Sequence, residues 1–92
     1  AHITTNENVS TVLDRHNGYR RALEAAGIPY RPELVVPHGN DRHGIVVPGE
    51  LLQSLLCLPD PPTAIFAVHD WAAIMAMFTA HMIGLRIPTE LA

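Results

Sequence analysis

An apolar run that ends in polar side chains marks where a small α/β chain can hold a ligand, and here Pro62-Thr63-Ala64-Ile65-Phe66-Ala67-Val68 ends in His69-Asp70. A neutral imidazole brings one donor and one acceptor, whereas a carboxylate only accepts. Asp70 stands where the next helix begins, so capping that helix is its simplest role. His69 then either faces a crevice or is a hydrogen-bonded core histidine. Arg15 offers a second set of groups. Its guanidinium holds five donors in a rigid fork suited to vicinal hydroxyls or an acidic group, and Thr11, one turn earlier on the same helical face, adds a hydroxyl. The plainer alternative for Arg15 is an exposed helical side chain beside Asp14. Gly18, within the same helix, costs about 1 kcal/mol relative to alanine and so predicts a close backbone approach.

Other chemistries find less support. His38 and His43 flank Asn40-Asp41-Arg42, and six histidines in 92 residues suggest zinc. Zinc needs three or four convergent ligands, and the chain has neither a His-x-x-x-His pair on a helix nor a Cys-x-x-Cys, so no metal and no cofactor is expected. Phosphate loops, dinucleotide fingerprints and nucleophile elbows are absent from the sequence, and Ser10 and Ser54 have no base at recognisable spacing. We expect no enzyme. A net charge of −3, with arginines but no lysine, lacks the basic stripe of a nucleic-acid surface. Hydrophobic residues make up 48% and charged residues 16%, which predicts a folded chain. The lone Cys57 fits a reducing compartment, no apolar run reaches the length of a membrane span, and residues 1–6 do not read as a signal peptide. A cytoplasmic location away from membranes is the expectation.

The elements that must position these residues alternate. Residues 1–5 read as the tail of a strand. A helix from Ser10 or Thr11 to Ala26 follows, with Thr11 and Asp14 as a capping box, Gly27 and Pro29 as its stop, and Val12, Tyr19, Leu23 and Ala26 facing inward. Glu33–Val36 reads as a strand and 37–44 as the loop at its carboxyl end, while 45–47 suits either an extended piece or a helix lead-in. Leu51–Leu58 is a helix that Pro59, Pro61 and Pro62 terminate. Residues 63–68 form a strand apolar on both faces, 71–83 a helix, and 86–92 a connector toward a further strand. Strand-helix alternation of this kind implies parallel crossovers. The predicted architecture is α/β, a doubly wound parallel sheet in one partial domain over 1–92 that stops inside an element at both ends. Its ligands belong at the carboxyl edge of the sheet. The helix 71–83 is apolar nearly all round, so it needs cover on two sides. The sheet supplies one; a partner subunit in a homodimer or further parts of the same chain supply the other.

Several phrases together resemble the effector-binding region of the lactose/galactose-repressor (LacI/GalR) family of bacterial transcriptional regulators. Arg15-His16-Asn17-Gly18-Tyr19 looks like the family's Arg-x-x-Gly-Tyr helix. Ala26-Gly27-Ile28-Pro29 with Leu34-Val35-Val36, then Leu55-Leu56-Cys57-Leu58-Pro59, Pro62-Thr63-Ala64-Ile65-Phe66-Ala67 and Gly84-Leu85-Arg86-Ile87-Pro88, match further family phrases in order. The resemblance implies a periplasmic-binding-protein-like subdomain, the C-terminal one of two that close on a sugar or related small polar effector. It implies effector contacts from Arg15, from Thr11 nearby, and from the position of His69, where the family usually has Asn. His69 for Asn changes the hydrogen-bonding pattern, and Met75 replaces a usual Gly in the last helix. Any DNA contact is expected through a headpiece outside these residues. The reading is therefore the effector-sensing part of a regulator. A sugar-binding protein of a transport system is the alternative, with a small metal-dependent hydrolase behind it.

Overall fold

A computed structural model describes residues 1–5, 8–37, 40–41, 44–45 and 48–92. In chain order it contains β1 (His2–Thr4), α1 (Ser10–Ala25), a 3-10 turn (Pro32–Leu34), β2 (Val35–Pro37), β3 (Asn40–Asp41), β4 (Gly44–Ile45), α2 (Pro48–Leu56), β5 (Phe66–Ala67) and α3 (Asp70–Met82). Three strands form a parallel sheet in the order β2-β1-β5, with Ile3 opposite Val36 on one side and Ala67 on the other. The expected doubly wound α/β pattern is present. Right-handed crossovers in this strand order send α1 over one face and α2 and α3 over the other. Side chains alternate along β1 and agree with that. His2 meets His16 and Tyr19 of α1, whereas Ile3 sits in a core with Leu52 and Leu55 of α2 and Ala72 and Ala76 of α3. The helices α2 and α3 also pack on each other, where Leu56 and Ala80 enclose Leu91.

The helix ends follow their local chemistry, with one exception. Gly27, at φ +69°, lets Ile28 N–H bond Leu23 O and Gly27 N–H bond Glu24 O, and Gly84, at φ +83°, repeats this with Leu85 to Ala80 and Gly84 to His81. Both are Schellman ends, which only a residue at ease with positive φ closes cheaply. The start of α1 differs from expectation. Its N-cap is Val9, which makes no side-chain cap bond. Thr11 and Asp14 therefore lie inside the helix rather than forming a capping box. Ala26, expected to face inward, is exposed, and the inward stripe is instead Val12, His16, Tyr19 and Leu23.

Two strand assignments are corrected. Glu33 and Leu34 belong to the 3-10 turn that Pro32 initiates, so β2 begins at Val35. The strand expected over 63–68 is only Phe66–Ala67, and it is not covered on both faces: Phe66 is exposed, its ring stacked on His2. Upstream, the outer edge of this strand still pairs. Ile65 N–H donates to Ala92 O at 2.8 Å and Ala92 N–H to Thr63 O at 2.9 Å, so the connector 86–92 delivers its last residue beside β5 as a further strand would lie. The stretch expected as a loop contains a short antiparallel ribbon, Asn40–Asp41 against Gly44–Ile45; residues 46 and 47 lie outside the described residues. The helix α2 starts at Pro48, three residues before its expected start, with proline in the first turn, where its missing N–H costs nothing.

The helix α3 inverts the usual distribution of side-chain size. Ala72, Ala76, Thr79 and Ala80 are buried, while Trp71, Ile74, Met77, Phe78 and Met82 are exposed. Small residues let the helix lie close on the sheet and α2. Thr79 is buried without penalty because its hydroxyl donates to Met75 O at 2.9 Å. Met75 is half-buried against the core rather than on the exposed stripe.

Candidate ligand site at the carboxyl edge

The chain leaves β1 over one face of the sheet and β5 over the other, so their carboxyl ends flank a topological switch point. Doubly wound sheets open a crevice there. Thr4 closes β1, and Val68 and His69 follow directly on the end of β5. The start of α1 overlooks the same edge.

Arg15 reaches into this place. Its Nη1 donates to Val68 O at 2.9 Å, joining the second turn of α1 to the end of β5. The side chain is thus more than the exposed neighbour of Asp14. One corner of the fork is held by a strand-end carbonyl, which orients the plane that carries the remaining N–H groups. Thr11 is exposed in the first turn of α1, one turn ahead of Arg15. Gly18 is not explained by close approach: among the described residues a Cβ there would meet nothing within 4 Å, and nothing in them accounts for the glycine.

His69 has a role expected of Asp70. Its backbone is extended at φ −156°, and its Nδ1 accepts from Ala72 N–H at 3.2 Å. It is the N-cap of α3, and Ala72 holds the third helical position, the usual donor to a capping side chain. Asp70 is the first helical residue instead, where a carboxylate complements the helix dipole. Because Nδ1 accepts, the neutral ring carries its proton on Nε2. Replacing His69 by alanine is expected to lower stability by about 0.5–2 kcal/mol, the worth of an N-cap, while asparagine, among the best caps, should preserve it. Urea melts check this, and an unchanged midpoint for His69→Ala would remove the cap from the account.

One residue that sequence reasoning passed over is His2. It is fully buried, and its Nδ1–H donates to Phe66 O at 3.0 Å. The available signal was alternation. With Ile3 turned to the core, His2 must turn to the face that α1 covers, and His16 and Tyr19 share the stripe of α1 that meets it. As for metal, the described residues contain no group of three or more His, Cys, Asp or Glu able to hold an ion, and His38 and His43 lie outside the described residues. Among those residues no helix is long and apolar enough to cross a membrane.

Comparison with known proteins adds the family context. A model of the periplasmic binding protein-like domain matches residues 1–92. The ribose operon repressor of Haemophilus influenzae is 37% identical over 89 residues, which is 97% of this chain and 26% of that protein. The HTH-type transcriptional repressor CytR of Escherichia coli is 34% identical over 77 residues, covering 84% of this chain and 22% of that protein. Among solved structures, a regulatory protein of the LacI family from Chloroflexus aggregans superposes with a TM-score of 0.85 at 31% identity, over 100% of this chain and 32% of that one. The chain thus spans about a quarter of the length of these curated relatives.

Proposed function

The chain belongs to the periplasmic binding protein-like domain family, and on that premise we propose that it senses a small polar effector for a LacI-type transcriptional regulator in the cytoplasm. The observation that carries the reading is the bond from Arg15 to Val68 O. It holds a guanidinium at the switch point of the sheet, where such folds bind ligands. Arg15 is the ligand fork, Thr11 supplies a hydroxyl beside it, and His69 borders the site while capping α3. The curated relatives named above are repressors, which favours a regulator over a transport protein and over an enzyme. Closure around the effector would bias the geometry between two copies of the chain, and through it the DNA-binding parts of the regulator. The two copies meet through the exposed apolar stripe of α3 in a homodimer.

Calorimetric titration tests the reading. Because one relative is named for the ribose operon, D-ribose is the first compound, followed by hexoses, uronic acids and nucleosides. Saturable binding of one molecule per chain by at least one member is expected. A folded protein that gives no heat with the whole panel would sink the proposal.

A further inference from the structure

His2 is 0% exposed yet only half satisfied. Its bond to Phe66 O places the ring proton on Nδ1, leaving Nε2 an acceptor with no partner among the described residues. The ring lies 5.0 Å from that of Phe66, 5.1 Å from Tyr19 and 5.8 Å from His16, between centroids. Tyr30 borders both α1 residues, its hydroxyl 3.5 Å from His16 Nε2, and the Arg20 guanidinium lies 4.7 Å above the Tyr30 ring. Among the described residues, the titratable and charged groups around His2 are therefore His16, Tyr19, Tyr30, Arg20 and, just ahead of its strand, the Ala1 amino group; none is a carboxylate.

A neutral His2 packs as one more ring in this seam. A proton added at Nε2 would create a charge and a donor closed off from solvent and, among the described residues, without a counter-ion to receive them, beside a second imidazole. We propose that His2 is a proton-operated release for α1: the neutral ring seats the helix on β1 and β5, and protonation at Nε2 loosens it. Because α1 carries Arg15, acid would also weaken the ligand grip, a consequence that rests on the reading of the site above.

The direction of the pH effect follows from burial. Burial holds the His2 pKa below the ordinary value of 6.5, with His16 pushing the same way and the bond to Phe66 O opposing both. The loosened state then binds the proton more readily than the seated one. Seating is intact above the ordinary histidine range. It weakens as pH falls below that range, by up to about tenfold in the opening constant per pH unit, and levels off only below the seated state's own pKa.

Amide hydrogen exchange of residues 10–25, corrected for the intrinsic pH dependence of exchange and followed from about pH 8 to about pH 5, reads this directly. In the wild type, α1 should lose up to about tenfold protection per pH unit below about 6.5 relative to α2, which holds no histidine. In His2→Phe, which keeps a ring in the stack, and in His2→Asn, which keeps a donor toward Phe66 O, that pH dependence should vanish. His16→Gln should retain it. A flat wild-type profile, loss of protection that persists in both His2 variants, or loss abolished only by His16→Gln would overturn the proposal. If Arg15→Ala leaves ligand binding unchanged while the His2 result holds, the ligand reading fails and the release stands.

Discussion

Arg15→Ala is expected to weaken effector binding by about 1.5–3 kcal/mol, the worth of hydrogen bonds from a charged donor, or roughly 10- to 150-fold in dissociation constant. The structure adds a second effect. Losing the bond to Val68 O costs stability too, about 0.5–1.5 kcal/mol, because a carbonyl at a strand end next to exposed His69 can be rehydrated. Arg15→Lys separates the two. A lysine ammonium can still reach one carbonyl, but it has no fork with which to hold the carbonyl and a ligand together. Its stability should approach wild type while its affinity stays low. Calorimetry and urea melts on both variants test this. Unchanged affinity in Arg15→Ala, or wild-type affinity in Arg15→Lys, would take Arg15 out of the site.

The order of elements was legible because it is written locally. Gly27 and Gly84 end helices through bonds within six residues, and the prolines between 59 and 62 stop α2 by removing donors. What could not be read locally was the partner of each polar group. Arg15 and Val68 are 53 residues apart, and only the sheet order β2-β1-β5 brings the second turn of α1 to the end of β5. Spacing alone does not separate a ligand fork from a surface side chain at Arg15. The choice between His69 and Asp70 as cap turned on one residue of helix boundary, where propensity is least informative. His2 was hidden for another reason. A histidine in a three-residue strand is too brief a pattern to reveal a buried face, and its burial depends on rings from α1 and β5 that lie far along the chain. Which residues of α3 face the sheet was not legible. Its apolar character was plain, but hydrophobicity does not say that the alanines would take the sheet and the large residues the outside.

That inversion leads to the other large effect expected. Phe78 is 60% exposed and Met82 66%, whereas Ala72 and Ala80 are 1% and 0% exposed. Trp71, Ile74, Phe78 and Met82 recur at intervals of three and four, forming one continuous stripe along α3. A contiguous stripe of large apolar side chains is rare on the surface of a monomer and usual at an interface. Covered by the same stripe of a second copy, it would form a two-fold interface in which each residue serves twice. Aromatic residues near the centre of such a contact dominate its energy, so Phe78→Asp is expected to weaken self-association by about 2–4 kcal/mol, roughly 30- to 1000-fold. The fold itself should hold, because an exposed position away from caps and cores usually changes stability by less than about 0.5 kcal/mol. Ala76→Asp provides the contrast. It puts a carboxylate into the core beside Ile3 and Leu52, and should unfold the chain rather than dissociate it. Sedimentation equilibrium with circular dichroism distinguishes these outcomes. A wild type that stays monomeric, or a folded Phe78→Asp that associates as tightly as wild type, would show that this stripe is not where the copies meet.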